Sequence, residues 1–506
     1  MNAITATREK PSLRIISSSL LRDVAVAAVG AVALAAAFPK IGAAWIVPFG
    51  TAALFWVWQG ASWKRAALAG WFAGIVFFAI DFDWVGHTVG SYIGAYGPFL
   101  MFGPALIEAP YFALAGVLCV LAYRYVRASF APLAVAAAFT ICEWLRSIGL
   151  LAAPFDQLGY TQADTPLRPI AAYLGTYGVT FVLCVLGAYL ADALHRKTYR
   201  ALVIAACSVA AATGLAWIAW PARSLATPAI PVAAVQGDIA QSLKWNSLAL
   251  AIGRYSMLTR TAAARHPKLI VWPETVITTD LSLDPPLVKA FEDLSRQVHA
   301  TIVAGSIDVT QRRAYNALFV FAPSGGVSIY HKRQLVPFAE SFPGRSFLGW
   351  LPYVGALSGR FGTGTVDAVF PTSAGLPIAP MICWESAFAD LAHAQIANGA
   401  QVLVVSTDDA WFGTTSGPYM HAQISQLRAI ETGAYVVRAA ATGISGIVAP
   451  DGSWQKRSNM EELVTVFGAI GPRVPTIFSR IGPTPVMIAF IVLYGALFML
   501  KRNDAG

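Results

Sequence analysis

The chain has 506 residues, 56% of them hydrophobic and 12% charged, with a mean hydropathy of +0.58. Soluble domains usually hold about 45–50% apolar and about 25% charged residues, so this composition excludes an ordinary cytosolic enzyme and a disordered chain. The net charge of +9 could suggest nucleic acid, but Lys and Arg gather beside apolar runs. It reads instead as a membrane-topology signal, and no nucleic-acid partner is expected.

Roughly twenty apolar residues cross a bilayer as a helix, because every backbone polar group must be paired internally. Eight runs qualify: 22–39, 42–59, 66–83, 98–123, 129–149, 169–192, 201–220 and 484–500. The first could also be a signal peptide flanked by Arg14 and Arg22, but its run is long and further spans follow at once. Basic residues cluster before span one and after spans two, four, six and eight (Lys64 and Arg65, Arg124 and Arg127, Arg196 to Arg200, Lys501 and Arg502). That bias predicts both termini in the cytoplasm and the long insert on the other side. Asp81 and Asp83 are expected at the outer end of a span, and Glu143 is expected to pair with Arg146 one turn on.

The division expected is 1–221 for the N-terminal membrane helices, 222–480 for an extracytoplasmic domain, and 481–506 for a last span and tail. Within the insert, β-rich runs occur at Pro231–Gln236, Lys268–Trp272, Thr301–Ala304, Leu318–Ala322, Ile378–Ile382 and Gln401–Ser406. Residues 419–431 place Met420, Ile424 and Leu427 on one helical face. Strands alternating with helices predict a layered α/β domain. Residues 339–366 and 408–418 read as loops.

Three passages carry charge or thiol directly after a buried-looking strand: one ends in Glu274, one holds Lys332 and Glu340, and one holds Cys383 and Glu385. The other four cysteines lie in apolar runs, and no two of the five have metal-site spacing, so no metal is expected. A thiol is a few per cent thiolate at neutral pH and needs a base. Glu274 can take the Cys383 proton, and Lys332 can stabilise an oxyanion beside the backbone N–H that follows the thiol. No histidine stands as an obvious partner to the thiol; His421 reads as a satisfied structural residue. The 339–366 loop offers Phe342, Phe347, Leu348, Trp350, Leu351 and Tyr353, amphipathic anchors suited to a lid dipping into the outer leaflet.

Glu274, Lys332 and Cys383 in this order resemble the Glu-Lys-Cys triad of the nitrilase superfamily. With membrane spans before and after, the chain resembles the apolipoprotein N-acyltransferases of bacterial membranes. Val-Gln-Gly-Asp-Ile-Ala-Gln-Ser-Leu-Lys-Trp (235–245), Tyr-His-Lys-Arg, Ile-Cys-Trp-Glu and Asp-Ala-Trp-Phe-Gly (409–413) carry the likeness in the insert. Leu-Gly-Tyr (158–160) and Gly-Thr-Tyr-Gly-Val-Thr-Phe (175–181) carry it in the membrane part. The resemblance implies a helical membrane bundle of about eight spans joined to an αββα sandwich. It implies transfer of a phospholipid acyl chain, through a Cys383 thioester, to the amine of a diacylglyceryl-cysteine lipoprotein. It gives supporting roles to Glu340 and Glu385 and acyl-pocket roles to Trp245 and Trp384. No cofactor is required, and a monomer in the bacterial inner membrane is expected. Asp238, Asp408, Met420, Gln426 and Ala440-Ala441 depart from the family pattern. Rival readings are a membrane-tethered amidase with water as acceptor, and a transporter or sensor whose outer domain binds without catalysis.

Overall fold

The computed structural model describes residues 18–93, 99–220, 229–310, 312–344, 361–366 and 368–500. A helix lies in each of the eight apolar runs: α1 Ser18–Ala35, α2 Val47–Gln59, α3 Trp63–Asp81, α5 Phe102–Tyr125, α6 Ala131–Leu145, α7 Ala171–Arg196, α8 Arg200–Ile218 and, after the α/β domain, α15 Pro483–Met499. Among the described residues, four helical stretches are long and apolar enough to cross a membrane: Trp63–Asp81, Phe99–Tyr125, Arg168–Arg196 and Arg200–Ile218. The others are shorter or less apolar: α2, α6 and α15 each begin at a proline in their first turn, which sets where the helix starts. An additional helix, α4 Asp83–Ile93, follows α3. Small residues let helices approach closely here. A Cβ on Gly70 or Gly74 would stand 2.5 Å from the Phe112 carbonyl oxygen or 2.8 Å from the Ala109 Cα of α5.

The polar side chains of the bundle are arranged differently from their sequence expectation. Arg146 does not pair with Glu143. It donates to Glu108 at 2.6 Å and to Asp156, while Glu143 accepts from the Leu158 N–H and the Thr180 hydroxyl, both at 2.7 Å. Arg146 caps the helix with helical backbone angles, so the i,i+3 spacing is kept, but its guanidinium is taken up by Glu108 and Asp156 instead. Asp81 is buried rather than lying at a wet outer end, whereas Asp83 accepts from Ser416 at 3.0 Å.

The insert builds two sheets. Strands β1 Ile230–Gln236, β2 Leu269–Val271, β3 Thr301–Thr310, β4 Arg313–Phe321, β5 Val327–His331 and β11 Val464–Ile470 form the first, in the order β11-β1-β2-β3-β4-β5. Strands β6 Ile378–Ile382, β7 Val402–Thr407, β8 Tyr435–Ala440, β9 Gly446–Val448 and β10 Trp454–Arg457 form the second, in the order β10-β9-β8-β7-β6. In each sheet three neighbouring strands run parallel (β1-β2-β3 and β6-β7-β8, with β6 at the edge of the second sheet) and the remaining pairs are antiparallel. Period-two alternation fixes the layers. Val232 and Ala234 of β1 meet Val402 and Val404 of β7 between the sheets. Ala233 and Val235 face α10 Leu248–Ala262 and α11 Pro285–Val298, and Leu403 and Val405 face the helices of the other side. The result is an αββα sandwich.

The outer helices of the second sheet are α12 Ala389–Ala397 and α13 Gly417–Thr432. Nearly all of α13 is buried, because it is covered twice. Ala429 packs toward the sheet, while Met420, Ile424, Leu427 and Ile430 join the core of the membrane bundle. The face predicted from Met420, Ile424 and Leu427 is therefore the seam between the two halves of the protein.

Candidate active site

Three carboxyl-end segments converge. Glu274 follows β2, Lys332 follows β5, and Cys383 follows β6. Lys332 Nζ lies 3.2 Å from Glu274 Oε1 and 2.9 Å from Glu340 Oε2, and the Lys332 side chain is buried. Asn316 on β4 donates to both carboxylates, at 2.6 Å to Glu274 and 2.8 Å to Glu340. The other Glu274 oxygen accepts the backbone N–H of Asp408 at 2.9 Å. Glu340 also accepts the Val336 N–H at 2.9 Å, which pins the loop that carries it.

Electrostatics assign the resting protonation. Burial alone would raise Glu274, but Lys332, Lys244 and the bonds from Asn316 and Asp408 outweigh it, and the carboxyl is held below its usual range. Burial likewise opposes a charged Lys332, and the Glu274 and Glu340 carboxylates overcome it, so the ammonium is held well above its ordinary value. Burial and the Glu274 charge push the Cys383 thiol well up, against the pull of Lys332. The resting site thus holds a neutral thiol beside an ionised carboxylate and a firm ammonium.

The thiol sits on a tight 3-10 turn, Cys383–Ala387, with Cys383 itself at φ 49. A left-handed non-glycine residue costs on the order of 1–3 kcal/mol and persists where its surroundings over-determine it. Glu385 supplies part of that constraint. It accepts the Ile382 N–H at 2.7 Å, the Arg333 N–H at 2.6 Å and the Tyr330 hydroxyl at 2.9 Å, tying the nucleophile turn to the Lys332 segment. Glu385 touches neither Lys332 nor Glu274 through these bonds; it positions. His421 on α13 supplies the rest. Its Nε2 lies 3.0 Å from the Cys383 carbonyl and 2.9 Å from Ser386 Oγ, and its Nδ1 lies 2.9 Å from Asp409. Burial pushes Asp409 up, but Arg438 and His421 draw it down to about 2, so it stays ionised.

The other expected side chains are held by different contacts. Trp384 is buried in the seam, stacked on Phe155 at 5.4 Å and near Trp84 at 6.4 Å. Trp245 is 52% exposed after the short helix α9 Gln241–Lys244. Phe342 packs edge-on against Phe338 at 5.5 Å. Phe347, Leu348, Trp350 and Tyr353 lie outside the described residues. Sequence reasoning missed Asn316 and Lys244. Lys244 pairs with Asp408 at 2.5 Å and accounts for that departure from the family pattern. Gln426, another departure, bridges Asp164 of the membrane half to the Gly452 carbonyl, each at 2.9 Å. Among the described residues no cluster of His, Cys, Asp or Glu has metal-binding geometry.

Residues 231–473 match the carbon-nitrogen hydrolase family, and residues 30–189 match the apolipoprotein N-acyltransferase N-terminal domain. The chain is 32% identical to the apolipoprotein N-acyltransferase of Methylococcus capsulatus, over 96% of this chain and 97% of that one. It is 28% identical to the apolipoprotein N-acyltransferase of Haemophilus ducreyi, over 91% and 93%. A solved CN-hydrolase superfamily protein of Xanthomonas campestris aligns at 17% identity and a TM-score of 0.38, covering 55% of this chain and 99% of that one. With a relative matched end to end above 30% identity and both halves recognised separately, the chain belongs to the apolipoprotein N-acyltransferase family.

Proposed function

We propose that this protein is a membrane N-acyltransferase that moves an acyl chain from a phospholipid to the α-amine of a diacylglyceryl-cysteine at a lipoprotein N-terminus. The observation that carries the reading is the ionised Glu274 held against the Lys332 ammonium beside a neutral thiol. Glu274 takes the thiol proton as Cys383 Sγ attacks the sn-1 ester carbonyl. Lys332 and the backbone N–H of Trp384 stabilise the resulting oxyanion. Collapse expels the lysophospholipid alkoxide, which recovers the proton from Glu274, and leaves a thioester. The neutral α-amine then attacks the thioester, Glu274 takes its proton, and the thiolate leaves and is reprotonated. Glu340 holds Lys332 from its second side, and Glu385 keeps the turn in register.

Membrane attachment follows from the substrate. Extracting an acyl chain costs about 0.8 kcal/mol per CH₂, so a site seated on the bilayer avoids a large penalty. We assign the α/β domain to the extracytoplasmic face and both termini to the cytoplasm, from the Lys and Arg bias of the short loops. The 339–366 loop is assigned as the lid, with Phe342, Phe347 and Trp350 entering the outer leaflet. Mass spectrometry of the purified protein after exposure to phospholipid tests the chemistry. The expected result is one acyl chain added on Cys383 and removed by a diacylglyceryl-cysteine peptide. Acyl transfer without any acylated Cys383 would overturn the reading.

A further inference from the structure

On the membrane bundle, α7, α8 and the segment before α7 line an open groove of about 450 Å3, within the range of small-molecule sites. Its walls are apolar along most of their length, with Leu186 on α7 and Val209 and Ala210 on α8. The end near the catalytic domain differs. Thr213 lines the groove and is 7% exposed, yet among the described residues its hydroxyl has no partner. A helical threonine usually returns its hydroxyl to the carbonyl one turn back, as Thr51 and Thr140 do. Behind the Trp217 wall of the same end, outside the groove lining itself, Trp220 packs against Trp217 at 5.3 Å, and the buried Trp220 Nε1 and Arg168 Nε are also without partners among the described residues. The Arg168 guanidinium lies over the faces of Trp217 and Trp220, at 5.4 and 5.8 Å, and reaches Asp451 at 3.5 Å.

An apolar channel with a guanidinium and two further orphaned donors toward one end suits an amphipathic anion. A guanidinium pairs strongly with a phosphate through charge-assisted hydrogen bonds. We infer that this groove is a second lipid site, which holds one phospholipid with an acyl chain along α8 and its phosphate and ester oxygens at Arg168, Thr213 and Trp220. It is separate from the reaction site. Asp451 lies in the turn between β9 and β10, at the amino-terminal end of β8, whereas Cys383 follows the carboxyl end of β6, which runs parallel to β7 and β8. Through the Arg168–Asp451 contact, a bound head group would tie the membrane half to the far edge of the sandwich. None of this uses the thioester chemistry.

The test uses the full chain carrying Cys383→Ser, so that no acyl enzyme forms. The delipidated protein in detergent is titrated with dioleoylphosphatidylglycerol and read by native mass spectrometry. Arg168→Gln is expected to weaken retention of one lipid about tenfold, the effect of a lost charge-assisted bond. Gly214→Leu is expected to abolish retention of that lipid with thermal stability unchanged, because Gly214 lines the groove and a Cβ added there meets no atom within 4 Å. A lipid with a photoreactive chain should attach to the 200–218 segment. Unchanged stoichiometry and affinity in both variants would overturn the site. So would equal retention of dioleoylglycerol, which lacks the phosphate, or crosslinks spread evenly over the exposed helices.

Discussion

Each half of the protein buries one cation between two carboxylates, and the two clusters do opposite things. In the bundle, Arg146 is clamped by Glu108 and Asp156, donates to the Ala153 carbonyl at 3.1 Å, and lies over the Phe78 ring at 4.4 Å. In the α/β domain, Lys332 stands between Glu274 and Glu340, with Cys383 close enough to feel both charges. Arginine presents a planar fork whose donors are used in fixed directions, and here its surroundings hold it still. Lysine is a compact charge with three rotatable donors, able to follow a developing oxyanion. Stoichiometry of charge is therefore a poor guide to role. What separates the clusters is the nucleophile beside one of them and the choice of cation.

The sharpest way to break that comparison is to remove one carboxylate from each cluster. Glu274→Gln should lower the acyl-enzyme formation rate by about 10²–10⁴, the usual contribution of a general base, with the protein still folded. Single-turnover acylation of Cys383 checks it. Glu108→Gln should leave the rate per folded molecule alone. Arg146→Met, which strands buried carboxylates, should instead destabilise the bundle by about 3–5 kcal/mol, read as loss of folded protein in a thermal scan. If Arg146→Met folded normally and lost acylation, the division of roles drawn above would be wrong.

The pH dependence of acylation follows from the same contrast. Glu274 is held below the ordinary carboxylate range and Lys332 above the ordinary ammonium range. The rate should therefore stay level across neutral pH, falling on the acid side only below the usual carboxylate pKa of about 4.3. The sign for stability agrees: a carboxyl lowered on folding stabilises above its unfolded pKa, and that contribution is lost as pH falls through the folded value. Asp409, drawn down to about 2, adds a share that is lost only as pH falls toward about 2. An acid limb near pH 6 to 7 would mean that Glu274 is not the base.

How much of this was legible depended on where the stabilising partner sits in the chain. Strand β6 was readable to the residue, since Ile378–Ile382 is a continuous apolar run bounded by a turn. The β5 run Val327–His331 and the β10 run Trp454–Arg457 were not, because both are short edge strands with exposed or polar residues. Strand β8 hides behind Arg438, a charge in a buried strand made tolerable by Asp409 at 2.7 Å. Glu274, Lys332 and Cys383 stood out because each lies just after a strand. Asn316 did not, being a polar residue inside an apolar strand whose two carboxylate partners arrive from elsewhere in the sequence. Helix α4 was missed because its turns are amphipathic, and its packing surface is the distant Trp411–Phe412 segment: Thr88 donates to the Trp411 carbonyl at 2.6 Å and Trp84 meets Phe412 at 4.8 Å.

Within the active cluster, the comparison can be sharpened by separating residues that react from residues that hold. Glu385→Gln keeps the shape but loses the charge that gathers the Tyr330, Ile382 and Arg333 donors. Weakened bonds to a buried charged acceptor cost on the order of 1–3 kcal/mol. A drop of about tenfold to a hundredfold in kcat is expected with KM unchanged. The shape of the pH profile should not move, because the base is intact; a shifted acid limb would promote Glu385 from strut to reactant.

The smallest expected effect crosses the seam itself. Tyr160, on the membrane side, donates its hydroxyl to the Ala387 carbonyl at 3.1 Å, at the end of the turn that carries Cys383. Behind it, Arg428 Nη2 reaches the same hydroxyl at 3.4 Å and pairs with Glu431, which in turn accepts the Thr176 N–H at 2.7 Å where Gly175 breaks helix α7. Tyr160→Phe removes one donor and leaves the ring packed. A lost neutral bond is worth about 0.5–1.5 kcal/mol, so a rate loss of roughly two- to tenfold is expected. The bundle would then act on chemistry through backbone geometry, and alkylation of Cys383 by a soluble reagent should slow in step with acyl transfer. If alkylation were unchanged while transfer fell, the bundle would be presenting lipid rather than shaping the turn, and the two halves would be coupled through substrate alone.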